Sequence, residues 1–125
     1  MKSSQQISST AVLLKTAAQC LERHAVHSGK IPPQTYFIAQ CRRLDPWGNN
    51  LFYENNGDDR EIAKVTTKSY RDGNGDHPDA AWIIGSPGPN RTRQLLSTTT
   101  LWDCATGDDL CHMTSRTGLF YEINK

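Results

Sequence analysis

SSQQISSTAVLLKTAAQCLERHAVHSGKIPP, residues 3–33, decides how this chain is read. Ile7, Ala11, Leu14, Ala18, Leu21 and Ala25 recur at alternating steps of four and three, the spacing of one apolar stripe on an α-helix. Ser3 with Gln6 supplies a capping box, and Gly29 with the Pro32-Pro33 pair supplies the stop. The spacing predicts a helix over about residues 4–28 with one face on a core. Leu13, Cys20 and His24 fall on a second face, so cover is expected there too, and Tyr36-Phe37-Ile38 is its natural source.

Beyond the helix the pattern changes to short β-prone runs: Leu51 to Glu54, Ile62 to Lys68, Ala80 to Ile84, Leu95 to Trp102 and Leu119 to Ile123. Turn-forming residues punctuate them at 55–59, 71–79, 85–90 and 106–109. The expectation is an α+β fold, a long N-terminal helix packed on a small antiparallel β-sheet. Its single domain spans 1–125, with a connecting segment over about 29–50 and a β-sheet region over about 51–125.

Fourteen basic and 13 acidic residues are interspersed, for a net charge of +1, which offers no extended field to nucleic acid. Arg42-Arg43 and Arg91 with Arg93 read as solvated loop charges. No apolar run reaches the roughly 20 residues needed to span a bilayer, and residues 1–9 lack a signal-peptide pattern. Four cysteines in a small domain fit two disulfides or a metal site. Cys20 to Cys41 would pin the connecting segment across the helix, and Cys104 to Cys111 would close a short loop; this is the pairing expected. The rival use is zinc on Cys20, His24, His27 and Cys41, since i, i+4 and i+7 side chains converge on one helical face.

Asp45-Pro46-Trp47-Gly48-Asn49 stands directly before the aromatic run Leu51-Phe52-Tyr53-Glu54. Pro46 fixes its own φ, Gly48 and Asn49 admit positive φ, and Trp47 offers an apolar plate, so these residues make a rigid turn into the first strand. The stretch resembles the DPWGNPYxY signature of the type IV pilin family, in particular the major pseudopilins of type II secretion systems. Ser86-Pro87-Gly88-Pro89-Asn90 resembles the family's SxGPDG turn, and Gly107-Asp108-Asp109-Leu110 its GTxDDI loop. The likeness covers roughly residues 10–125, and it implies a pilin-type head whose helix is the soluble half of the long family helix. Family members carry a short basic leader, a prepilin-peptidase site and an apolar segment upstream; these are not in the 125 residues, so the chain is expected to be a head without that part.

What the resemblance implies is a structural subunit of a type IV pilus or a type II secretion pseudopilus. Its partners would be other pilin or pseudopilin subunits, with an assembly platform, an ATPase and a prepilin peptidase acting on the full-length form. The location implied is the cell envelope, anchored in the inner membrane with the head in the periplasm, or extracellular in a pilus. Calcium is the implied cofactor, with Asp108 and Asp109 as candidate ligands; Asn90 and Arg91 depart from the family's Asp and Gly. The other reading of Asp108 and Asp109 is ordinary turn carboxylates in a loop that a disulfide can hold.

Asp72, Asn74 and Asp76 reproduce the opening D-x-N-x-D of a calcium loop and form the weaker calcium candidate. His77 stands where its Gly belongs and Ile83 where its Glu belongs, which favours a hairpin tip. Ser86 lies in G-S-P-G rather than G-x-S-x-G, and Cys111-His112 are adjacent with side chains diverging, so no catalytic constellation is expected. The alternative to a filament subunit is an exported metal- or ligand-binding module.

Overall fold

A computed structural model describes residues 3–125. Helix α1 (Ser4–Ser28) starts at the capping box: the Gln6 amide donates to Ser3 Oγ at 3.1 Å and the Ser3 amide to Gln6 Oε1 at 3.2 Å. It ends on Gly29 in the left-handed conformation, φ 73°, whose amide donates to the Ala25 carbonyl. The buried stripe is Thr10, Leu14, Ala17, Ala18, Leu21 and Ala25. Ile7 and Ala11, expected in that stripe, are exposed, because they sit where the first turns of α1 are only thinly covered.

The connecting segment is helical over α2 (Gln34–Tyr36) and a π-turn at Phe37–Cys41. It covers the second face of α1 at His24 and Cys20, whereas Ile38, expected in that cover, is exposed. Tyr36 stacks on His24 with ring centroids 4.1 Å apart, and Cys41 joins Cys20 with Cα atoms 5.6 Å apart. Phe37 continues into the main core, against Tyr53.

The sheet is built around one long strand, β3 (Gly75–Ser86). Strands β1 (Phe52–Asn55), β2 (Lys68–Asp72) and β6 (Leu110–Ser115) all pair with it antiparallel. Successive β3 residues serve two cores. Trp82 and Ile84 pack with α1, Tyr53 and Phe37, whereas Ile83 packs with Tyr70, Trp102 and Cys104.

Four expectations are corrected. The sheet is mixed rather than antiparallel: β5 (Leu101–Asp103) runs parallel to β2, and only β4 (Leu96–Ser97) is antiparallel to β5. Residues 87–100 carry the chain back along the sheet first, which leaves Trp102 buried in the second core. Ile62 to Lys68 is a strand only at Lys68: Val65 N–H bonds the Glu61 carbonyl, so Ile62 and Val65 are buried at helical spacing. Leu119 to Ile123 belongs to helix α3 (Arg116–Ile123), opened by Ser115 as N-cap with Leu119 buried beneath it. The expected turn at 71–79 is mostly strand, with only Gly73-Asn74 between β2 and β3.

Candidate functional site

Asp45 is buried, at 5% exposure, and its carboxylate is saturated. Oδ1 accepts from the amides of Trp47 at 3.0 Å and Asn49 at 2.8 Å. Oδ2 accepts from Asn49 Nδ2 at 3.1 Å and from the Ser86 hydroxyl at 2.6 Å. Two main-chain bonds, Asp45 N–H to the Asn49 carbonyl and Gly48 N–H to the Asp45 carbonyl, close the turn. Gly48 takes φ 84°, and Trp47 is half-buried. An Asp accepting from amides two and four residues later is what fixes this turn, and Pro46 restricts the approach to it.

The same bonds tie the turn to the end of β3. Asn49 Nδ2 also donates to the Gly88 carbonyl at 2.9 Å, and Gly88 N–H donates to Ser86 Oγ at 3.1 Å. Gly88 has φ 77°, and a Cβ built on it would lie 2.6 Å from the Asp108 carbonyl oxygen. Only glycine allows that approach. The stretches at 45–49, 86–90 and 107–110 therefore meet in one junction where the connecting segment, β3 and the loop before β6 converge.

On the loop side, Asp109 is buried, at 6% exposure. Its Oδ2 accepts from the amides of Gln94 at 2.9 Å and Leu95 at 2.8 Å, while Oδ1 is buried with no hydrogen-bond partner among the described residues. Burial pushes the Asp109 carboxyl above the usual carboxylate range, against those two amides and the nearby Arg93 guanidinium. Asp108 N–H donates to Gln94 Oε1 at 2.8 Å. Cys104 and Cys111 close the loop with Cα atoms 6.4 Å apart, so all four cysteines are paired as expected. With Cys20 and Cys41 bonded to each other, the four-residue zinc set is not assembled.

Neither a protein-family model, nor a curated protein, nor a solved structure matches this chain.

The second calcium candidate is differently arranged. Asp72 Oδ1 accepts from the Asn74 amide at 2.8 Å and faces His77 Nε2 at 3.0 Å. Asp76 turns to Arg71, whose Nε lies 2.6 Å from Oδ1. These carboxylates answer neighbouring side chains instead of a common centre, and among the described residues no three His, Cys, Asp or Glu side chains gather as a metal set. Ser86 is fully buried and its hydroxyl is engaged with Asp45; His112 lies on β6, its pKa lowered by burial and then by Lys15.

Asn49, expected only as a turn residue, bridges two motifs, and Gln94, of which nothing was expected, holds the Asp108 amide. Arg93, expected as a solvated loop charge, lies over the Phe52 ring at 4.2 Å and pairs with Glu54, which also accepts from Trp102 Nε1. The spacing D-x-W-G-N was the one signal available, because an Asp two before an amide and four before an Asn is an Asx-turn pattern. No local pattern announces Arg93 or Gln94, whose partners lie 39 and 14 residues away.

Proposed function

We propose that this chain is the globular head of a pilin-like filament subunit, of a type IV pilus or a type II secretion pseudopilus. The observation that supports the reading is the junction: of three stretches that resemble one family's motifs, spread over 66 residues, the first two hydrogen-bond to each other and the third lies against Gly88 of the second. The long capped helix along one face of the sheet and the two disulfides fit the same reading. Disulfides persist in oxidising compartments, which suits a head in the periplasm or outside the cell. No helix among the described residues is long and apolar enough to cross a membrane. On this reading assembly runs through an apolar helix continuous with α1, and the platform, ATPase and prepilin peptidase act on that full-length form.

Calcium is the cofactor of this reading, and the donor that fits it is Asp109. Its Oδ1 is a buried carboxylate oxygen without a hydrogen-bond donor, the kind of group a hard cation satisfies. Asp109 and Asp108 would hold the ion, which would bind the loop before β6 to the junction. The chain's own substitutes are Arg93, the Gln94 and Leu95 amides, and the Cys104–Cys111 bond.

Immunogold labelling of filaments sheared from the source cells, with antibody raised to residues 3–125, tests the filament role. Labelled filaments are expected. A protein recovered wholly as a soluble monomer from cells whose filaments are unlabelled would favour an exported binding module.

A further inference from the structure

Strand β6 pairs with β3 along one side, and among the described residues no protein group bonds the main chain of Leu110–Ser115 along the other. The remaining strand margins are managed. The Tyr53 carbonyl of β1 takes the Gln34 side-chain amide, and β4 is two residues long. Residues 110–115 contain no Pro, Lys, Arg, Asp or Glu, the residues that usually guard an open edge.

Cavities flank this edge on both faces of the sheet. One of about 790 Å³ lies between β6, α1 and α3, lined by Glu22, Val26, Met113, Leu119 and Glu122. One of about 360 Å³ lies beside Cys111 and Met113, with Tyr70 and His77 opposite. An added strand sends alternate side chains to opposite faces, so it would fill both.

We propose that the outer edge of β6 receives an extended strand from a partner protein, with apolar side chains entering the hollow at Tyr70 and Met113 and a basic side chain reaching Glu22. Charge selects this occupant. Glu22 is half-buried, accepts from Thr114 Oγ1 at 3.1 Å, and has Glu122 nearby; burial first and Glu122 after it hold its carboxyl above the usual range. Arg23 and His27 stand exposed at the rim of the same groove, and Glu122 pairs with Lys125 at 3.7 Å. A second copy of β6 is the poorer fit: it has no Lys or Arg to answer Glu22, and burial keeps His112 neutral.

The test adds the peptide acetyl-TVKVTV-amide, and its charge-reversed form acetyl-TVEVTV-amide, to the folded domain. Amide exchange of residues 110–115 and binding are followed by NMR. The lysine peptide is expected to slow alternate amides of 110–115 and to bind roughly tenfold more tightly than the glutamate peptide. Glu22→Gln with Glu122→Gln, which keeps an acceptor for Thr114, should erase that preference while the amide protection remains. Unchanged exchange at millimolar peptide, or equal binding of the two peptides to the unsubstituted protein, overturns the proposal. So does protection that rises with protein concentration alone, alongside a dimer in sedimentation, because a second copy would then occupy the edge.

Discussion

The Ser86 hydroxyl donates to the Asp45 carboxylate at 2.6 Å, both residues buried and 41 positions apart. The bond joins the turn that launches β1 to the end of the strand on which the sheet is built. Removing one partner leaves the other's polar atom without its match in a site closed to water, and that loss exceeds the value of an ordinary hydrogen bond.

Asp45→Ala is therefore expected to destabilise the domain by about 3 kcal/mol, and Ser86→Ala by about 1–2 kcal/mol. Denaturant unfolding of both single variants and the double variant should give a coupling of about 1 kcal/mol or more. Strict additivity would mean the two motifs do not act as one unit.

Cys20 and Cys41 are 21 residues apart, Cys104 and Cys111 seven. Loop entropy makes the longer closure worth about 3 kcal/mol and the shorter about 2 kcal/mol. Replacing Cys20 and Cys41 together by serine should lower the Tm more than replacing Cys104 and Cys111. The reverse order would place the greater constraint on the loop that carries Asp108 and Asp109.

His112 has its pKa lowered from 6.5 by burial, with Lys15 adding to it. Folding favours its neutral form, so its contribution is fully present above 6.5 and is lost as pH falls through the lowered value. Glu22 and Asp109 carry raised values, and their contributions have the opposite sign: present at low pH, lost as pH rises through the folded pKa. Thermal melts across pH 4–8 should show that His112→Gln flattens the acid side and that Glu22→Gln gains stability at neutral pH. If His112→Gln leaves the profile unchanged below 6.5, the imidazole is not held in a desolvated site.

Asp109 separates two ways of holding the loop. Excess calcium should raise the Tm by several degrees over a chelated sample, through mass action on the native state. Asp109→Asn should remove that response, and in chelator it should melt higher than the unsubstituted domain, since it no longer buries a charge. If the Tm is indifferent to calcium, the loop is held by Cys104–Cys111, Arg93 and the two amides alone.

Much of the helix was legible in the sequence because its signals are local: the stripe, the Ser3–Gln6 box and Gly29 lie within a few residues of what they control. The disulfide pairing followed from the same helix face. Short apolar runs misled: Leu119 and Ile123, four apart, satisfy strand and helix spacings alike until their partners are known, whereas Ile62 and Val65, three apart, share a face only in a helical turn. Strand β6 is not legible locally, because Leu110-Cys111-His112-Met113-Thr114-Ser115 has no clean alternation, both of its faces being partly covered. In the candidate site, Asp45 was legible as a turn residue but not as the acceptor for Ser86, a contact created only by folding.

The mature N-terminus of the native protein, read by mass spectrometry on material from its source cells, tests the filament account most directly. The account predicts that α1 continues upstream into an apolar segment of about 20 residues, long enough to span a bilayer, beginning at a residue exposed by prepilin-peptidase cleavage. A mature chain that starts close to Ser4 after removal of a conventional signal peptide would contradict it.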